Sequence, residues 1–288
     1  MTAAVRATTV ALRGLAAGAL VLGLLAVGVL ALGPLVVPAV AEDGARALLD
    51  KVKQLNETKR KWTDRQQRMK LDIVDRRGND AQRDLEVLTK RYGDDASRSI
   101  MFFHAPPQVQ GIGFLQWIAP QEPDRQWLFL PALKRTRQIS GGARTESFAG
   151  TDFSYEDLSI MADVLDWGPD KAQAALTRED TIDGTVTDVI ELTPSSAADV
   201  SYGKIRLWLG RTDQVAHKYE FLDQQGQLAK TLLLGDIRDV NGIPAAHKLE
   251  MRNERNGSHT LVELTALTYN SGLDDDVFTQ RRLEKGPS

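Results

Sequence analysis

Apolar residues alternate with charged ones over most of the sequence, and this period of two limits the possible folds more than any other feature. In the segment RMKLDI (68–73), methionine, leucine and isoleucine occupy every second position, with charged residues between them. The same alternation recurs in KIRLWL (204–209) and HKYEFL (217–222). Successive side chains of a β-strand point to opposite faces, so each segment predicts a strand with one apolar and one charged face.

Short polar turns separate these segments. RRGND (76–80), DQQGQ (223–227), NGIP (241–244) and NERNG (253–257) each join two alternating runs. Strands that are joined by so few residues must be antiparallel neighbours, because a parallel pair needs a long crossover. Roughly eleven to thirteen strands of this kind fit into the sequence.

Three segments have helical character instead. Apolar residues recur at helical spacing in residues 42–61, residues 154–167 begin with the capping residue Ser154, and residues 274–285 predict a short terminal helix. The fold class is therefore mainly β, with one strongly curved antiparallel sheet that three helices close.

The N-terminus predicts export from the cytoplasm. Residues 15–37 are apolar apart from glycines and Pro34, and Ala39 and Ala41 match the small-residue pattern of a signal-peptide cleavage site. Residues 1–41 are accordingly predicted to be a signal peptide, which leaves 42–288 as a single domain in the periplasm. The apolar run is also long enough to span a bilayer, so an uncleaved anchor in the inner membrane, facing the periplasm, is the alternative.

Composition argues against several classes of function. A net charge of −3 does not favour nucleic-acid binding, and the absence of cysteine rules out disulfides and thiolate sites. No G-x-S-x-G elbow or comparable catalytic motif occurs, so we expect no enzyme and no cofactor. No metal site is expected either, because none of the four histidines has metal-ligand spacing. These are His104, His217, His247 and His259.

Two longer motifs resemble a known family. WLFLPALKRTRQIS (127–140) followed by SFAGTDFSYEDL (147–158), and NGIPAAHKLEM (241–251) followed by DDDVFT (274–279), are similar to the outer-membrane lipoprotein-sorting proteins of the LolA-like superfamily. The resemblance extends over nearly all of residues 42–288. It implies a half-open β-barrel, closed by helices, whose concave groove binds acyl chains.

The resemblance also implies a function. Such proteins are periplasmic carriers or adaptors for lipid or lipoprotein acyl chains, and this branch is often associated with inner-membrane exporters of the RND or MMPL type. We expect a monomer. Two alternatives remain: an accessory subunit that docks on such an exporter through its groove, and, less favoured, a hydrolase of envelope lipids.

Two sets of residues are candidates for the site. The acyl-chain wall is predicted from inward-facing apolar positions and from the glycine-rich loop 140–150, which we expect to open as a flap. The wall residues are Met69, Leu71, Ile73, Trp127, Phe129, Phe148, Phe153, Ile205, Leu207, Leu209, Tyr219 and Phe221. A basic rim for a headgroup or a partner comprises Lys134, Arg135, Arg137 and Arg144.

Overall fold

The structure is a computed structural model that describes residues 39–93, 96–119 and 122–287. The predicted signal peptide, residues 1–41, lies outside the described residues except for the backbone of its last three, which form the first turn of a helix. Within the described ranges, no helix is both long and apolar enough to cross a membrane.

Thirteen strands and three α-helices make up the described chain, which agrees with the predicted number of strands. The helices are α1 (Ala39–Thr58), α2 (Tyr155–Asp163) and α3 (Gln280–Lys285). The strands are β1 (Asp64–Val74), β2 (Asp80–Tyr92), β3 (Ala96–Ala105), β4 (Gly113–Ala119), β5 (Glu122–Leu130), β6 (Arg135–Ile139), β7 (Ala172–Ile182), β8 (Thr185–Pro194), β9 (Lys204–Gly210), β10 (Ala216–Leu222), β11 (Leu228–Val240), β12 (Ile243–Asn253) and β13 (His259–Tyr269).

All thirteen strands belong to one antiparallel sheet that is strongly curved but not closed. Their spatial order is β6-β5-β4-β3-β2-β1-β13-β12-β11-β10-β9-β8-β7. Neighbours in this order are also neighbours in sequence except where β1 pairs with β13. The first and last parts of the chain therefore meet in the middle of the sheet, and the segment that carries α2 connects its two edge strands. This is the half-open architecture that the sequence predicts.

Helix α1 covers part of the concave face. Its helical stripe buries Ala45, Leu49 and Val52 in the main core, and the helix packs against β7. The Arg46 guanidinium fixes this contact by donating to the backbone carbonyls of Trp167, at 2.6 Å, and Ala172.

Helix α2 begins where the sequence predicts it. The Ser154 hydroxyl accepts from the Asp157 N–H at 3.1 Å, and the Asp157 carboxylate accepts from the Ser154 N–H at 2.7 Å. This reciprocal capping box satisfies two backbone donors that the first turn would otherwise leave unpaired. A 3₁₀ turn, Val164–Asp166, continues α2 towards Trp167.

The C-terminal segment covers the convex face over strands β3 to β5. It consists of a 3₁₀ turn, Asp275–Phe278, and α3, so the predicted terminal helix is present in two parts with Thr279 as the N-cap of the second. Phe278 and Leu283 are fully buried there, and the Trp117 indole N–H donates to the Phe278 carbonyl at 3.0 Å.

Candidate ligand-binding cavity

A cavity of about 460 Å³ lies on the concave face of the sheet. Its walls come from β1 to β4 and β10 to β13, and its cover comes from α1, α2 and the loop before α2. A volume of this size lies within the range of pockets that enclose one small ligand.

The lining changes from polar to apolar along single strands. On β1 the inward positions are Arg65, Gln67, Met69 and Leu71, in that order. These four side chains share one face because successive residues of a strand alternate between faces. The inward face of β1 therefore changes along the strand from charged to polar to apolar.

Neighbouring strands repeat this gradient in register. On β2 the lining runs from Arg91 through Thr89 to Val87 and Leu85, and Arg65 and Met69 of β1 lie opposite Thr89 and Leu85. On β3 it runs from Ser97 through Ser99 to Met101, which lie opposite Arg91, Thr89 and Val87 of β2. The cavity as a whole therefore has a polar, cationic end and an apolar end.

The ring of Trp62 lies close to two arginines of the cationic end. It lies 4.9 Å from the guanidinium carbon of Arg65 and 5.5 Å from that of Arg91, and Tyr269 lies 6.0 Å away, centroid to centroid. Arg60 also lines this end, but its guanidinium donates to the backbone carbonyls of residues 213 and 214.

A buried network holds the N-terminus of α2 against the sheet. The Asp157 carboxylate is inaccessible to solvent and accepts from Lys230 of β11 at 2.5 Å and from the Tyr202 hydroxyl at 2.7 Å. Burial raises the pKa of Tyr202, and Asp157 adds to this effect, so the hydroxyl stays protonated and donates. Glu156 accepts from the backbone N–H and the hydroxyl of Ser201. The DFSYEDL motif therefore attaches the cover of the cavity.

The loop before α2 is attached as well. The Phe148 N–H donates to the Phe153 carbonyl at 2.7 Å, and the Asp152 N–H donates to the Thr260 hydroxyl of β13 at 3.0 Å. Gly150 has a φ of +82°, which favours glycine, so it serves a fixed turn. The flap at residues 140–150 remains a prediction. At the other end of α2, Met161 is 37% exposed and lines the cavity.

Five of the twelve predicted wall residues line the cavity: Met69, Leu71, Phe148, Phe153 and Tyr219. Phe148 also packs against Phe103 and Phe114, with ring centroids 5.5 and 5.4 Å apart.

Five other predicted wall residues are buried but lie outside the cavity lining. Ile205, Leu207, Leu209 and Phe221 face the same concave side, where they pack in the solid part of the core and are at most 1% exposed. Ile73 is buried beyond the apolar end of the lining on β1.

Trp127 and Phe129 require a correction, because they lie on the opposite face of the sheet. They belong to a second cluster with Phe102, Phe278 and Leu283, under the C-terminal segment. Their neighbour Leu128 is the one that faces the main core. Both faces of β5 are apolar, so alternation alone did not identify the inner one.

The predicted basic rim divides into two groups. Lys134, Arg135 and Arg137 are exposed around the β5–β6 turn, and Arg137 pairs with the exposed Glu146 at 3.2 Å. Arg144 is instead largely buried, and it donates to the carbonyl and carboxylate oxygens of Asp199. Arg144 thus attaches the loop and does not belong to an open rim.

The cationic end of the cavity was missed by the sequence reasoning. Arg65 and Arg91 each stand one alternation step beyond a polar residue on an otherwise apolar inner face. Following the inward positions of β1 and β2 to their ends would have revealed this change of polarity.

A second cavity of about 420 Å³ shares Asp163 with the first and has a mixed lining of polar and apolar residues. Burial raises the pKa of Asp124 there, and the nearby Asp163 raises it further, although Ser159 and Arg144 act in the opposite direction. Asp163 binds Lys171 at 2.8 Å. Across residues 39–93, 96–119 and 122–287, no group of three or more acidic or histidine side chains is arranged to hold a metal ion.

Residues 95–285 match the model of a protein family that carries only the description "Uncharacterized protein"-like. The match covers more than half of the sequence. The chain belongs to that family. No curated protein sequence matches the chain.

Solved structures identify the fold of this family member as LolA-like. A domain from Vibrio parahaemolyticus, assigned to the outer-membrane lipoprotein-sorting proteins, is 25% identical, with a TM-score of 0.76 over 84% of this chain and 99% of that one. A DUF1329 family protein from Desulfovibrio piger is 24% identical, with a TM-score of 0.78 over 84% and 99%. A LolA superfamily protein from Nitrosomonas europaea is 19% identical, with a TM-score of 0.62 over 83% and 98%. The resemblance inferred from the sequence motifs is confirmed.

Proposed function

We propose that this LolA-like protein is a carrier or adaptor that binds acyl chains of lipids or lipoproteins in the concave cavity. The observation that carries the proposal is the apolar end of the cavity. Met69, Leu71, Val87 and Val262 leave space between them, although the concave face around β8 and β9 is filled.

The energetics favour an apolar ligand at this end. Each methylene group that leaves water for such a site contributes about 0.8 kcal/mol to binding. The walls are rigid, because they lie on paired strands and under a helix whose start is fixed by Asp157 and Lys230. A preformed cavity loses little binding free energy to the ordering of its own side chains.

Two features support a role in the periplasm. Residues 1–41 have the pattern of a signal peptide, and the Vibrio parahaemolyticus relative is assigned to outer-membrane lipoprotein sorting. The same segment, if uncleaved, would keep the protein at the inner membrane, facing the periplasm. An inner-membrane exporter of the RND type is the proposed partner for either form.

One observation favours docking on a partner as a second function. Leu133, at the tip of the β5–β6 turn, is 67% exposed, and Lys134 and Arg135 follow it directly. An exposed apolar side chain beside two cations is a suitable contact for an acidic partner surface. Docking there leaves the cavity free, so the two functions are separable by mutation.

Mass spectrometry of the protein after purification from its native envelope tests the proposed function. We expect a lipid with at least one acyl chain to co-purify with the wild type. Met69→Glu places a charge on the cavity wall and should abolish co-purification. Lys70→Glu, one residue along β1 on the outer face, is the matched control and should retain the lipid.

A wild-type protein free of lipid, or a folded Met69→Glu variant that keeps its lipid, would overturn the proposal. Circular dichroism of both variants establishes that they are folded. Retained partner binding by Met69→Glu, together with loss of binding by Leu133→Ser, would assign partner contact to the β5–β6 turn.

A further inference from the structure

Arg65 stands at the cationic end of the cavity without an anionic partner among the described residues. Its Nε atom is buried and has no hydrogen-bond partner. The charged or ionisable groups that act on it are Arg91 and Tyr269, and neither is an acid that neutralises it at neutral pH. A buried donor without a partner is costly, so this atom points to a group that the protein alone does not supply.

The surroundings make the cost larger. Burial lowers the pKa of Arg65, and repulsion from Arg91 lowers it further, although Tyr269 acts in the opposite direction. Trp62 offsets part of this cost, because a guanidinium over an aromatic face is attracted to its negative quadrupole. A bound anion would offset more of the cost of burying the Arg65 charge than the Trp62 ring does.

Two acids, Asp163 and Asp166, also line the cavity. Asp163 is bound by Lys171 at 2.8 Å and by the Trp167 indole N–H at 2.8 Å. Asp166 lies on the 3₁₀ turn Val164–Asp166, which follows α2, and it has an interaction partner of its own. Neither acid provides a hydrogen-bond partner for the Nε atom of Arg65.

The polar and apolar ends are separated by a distance that suits one extended molecule. Arg65 and Leu71 lie six positions apart on β1, and a strand rises about 3.3 Å per residue, so the ends are about 20 Å apart. The cavity of about 460 Å³ has the volume of a pocket for one small ligand. A head and a single chain fit this arrangement better than a lipid with several chains.

We infer that the cavity selects a single-chain anionic amphiphile, whose phosphate or carboxylate head binds Arg65 beside Trp62 and whose acyl chain lies along Gln67, Met69 and Leu71 towards the apolar end. The inference rests on the proposed function and specifies its ligand class. Thr89 and Ser99, which share a hydrogen bond at 3.0 Å, border the same region and offer hydroxyls to the head.

Calorimetric titration of the purified full-length protein with two lysophospholipids tests this selection. Lysophosphatidylglycerol and lysophosphatidylcholine of the same acyl chain differ in that only the first is a net anion. We expect the wild type to bind the anionic lipid about tenfold more tightly, which corresponds to one charge-assisted contact. Arg65→Gln should reduce that ratio to about one, because the anionic lipid should lose more affinity than the zwitterionic one, whose phosphate is already paired with its own choline.

Two variants serve as controls. Arg68→Gln removes an arginine from the same strand, but on the outer face where it pairs with Glu86 at 3.1 Å, and should keep the tenfold preference. Arg65→Lys keeps the positive charge and should keep part of the preference. Thermal unfolding of each variant establishes that the fold is intact.

The outcomes separate this inference from the proposed function. A wild type that binds neither lipid overturns the proposed function, and the inference with it. Equal affinity for both lipids, or an unchanged preference in Arg65→Gln, overturns the inference alone. Glycerol phosphate that binds as tightly as the anionic lysolipid would also overturn it, because the chain would then contribute nothing.

Discussion

Both halves of the concave face have apolar side chains that face inward, but the two halves differ in packing. Around β8 and β9 the core is solid: Ile190, Leu192, Ile205 and Leu207 have no accessible surface. Around β1, β2, β12 and β13 the inward side chains border a cavity. We refer to these regions as the filled half and the hollow half.

The difference shows that local sequence does not decide where a LolA-like sheet is hollow. A β-branched or leucine side chain faces inward in both halves. What differs is the cover, because α1 packs along β7 and borders the cavity with Val52 and Asn56, whereas α2 borders it with its C-terminal part. A ligand site arises where the helices leave the sheet incompletely filled.

The attachment of α2 gives the largest expected effect, because α2 covers the concave face. Asp157→Ala leaves Lys230 in a largely buried site without its carboxylate and removes the capping box. We expect a loss of about 3–5 kcal/mol in the free energy of unfolding, measured by urea denaturation. The exposed pair of Arg137 and Glu146 provides the control: Glu146→Gln should cost less than about 1 kcal/mol. Similar losses in both variants would contradict the assignment of Asp157 as the main attachment.

Truncation of leucine in each half tests the comparison directly. Leu207→Ala, in the filled half, should lower the free energy of unfolding by about 2–5 kcal/mol, because it creates a void in a packed core. Leu249→Ala, in the hollow half, should cost less than half as much, since Leu249 already borders empty space. Equal losses in urea denaturation would show that the hollow half is packed as tightly as the filled half.

Enlarging one alanine in each half tests the comparison of the filled half and the hollow half in the opposite direction. Ala174→Leu, at a fully buried position on β7, should destabilise the fold by about 1–3 kcal/mol through overpacking. Ala245→Leu, on the cavity wall, should be nearly neutral for stability and should weaken acyl-chain binding by filling the space. Thermal unfolding and lipid titration of the two variants measure these effects. Strong destabilisation by Ala245→Leu would mean that the cavity wall cannot accept further atoms.

The smallest expected effect is a pH dependence beside α2. Because burial raises the pKa of Asp124, the folded protein binds a proton there more readily than the unfolded chain does. The stability that this group contributes is present at acidic pH and is lost as the pH rises through the folded pKa. Asp124→Asn should therefore gain melting temperature relative to the wild type as the pH rises above about 4.

The contribution of Asp75 to stability should depend on pH in the opposite direction. Hydrogen bonds from Asn79 lower the pKa of Asp75, so its contribution is present at neutral pH and is lost as the pH falls. Asp75→Asn should lose melting temperature relative to the wild type at pH 7 and not at acidic pH. The same pH trend in both variants would contradict the assigned directions.

Part of the candidate site was predictable from sequence. Met69, Leu71 and Tyr219 line the cavity as expected, because each lies on a strand with one clearly apolar and one charged face. Trp127 and Phe129 do not, because the residues between them are also apolar and the C-terminal segment buries the outer face of β5. Arg65 and Arg91 were not predicted as cavity residues, because the inward face of each strand was assumed to be apolar along its whole length.

The sequence by itself determined the strands, the antiparallel pairing of strands that short turns join, and the start of α2. These depend on neighbouring residues: alternation defines a face, a short turn forces antiparallel pairing, and Ser154 with Asp157 forms a cap within one helical turn. Only the tertiary structure decided which inward residues are packed and which border a cavity. That outcome depends on contacts between distant segments, such as Arg46 with Trp167 and Asp157 with Lys230, and no local pattern encodes the space that such contacts leave unfilled.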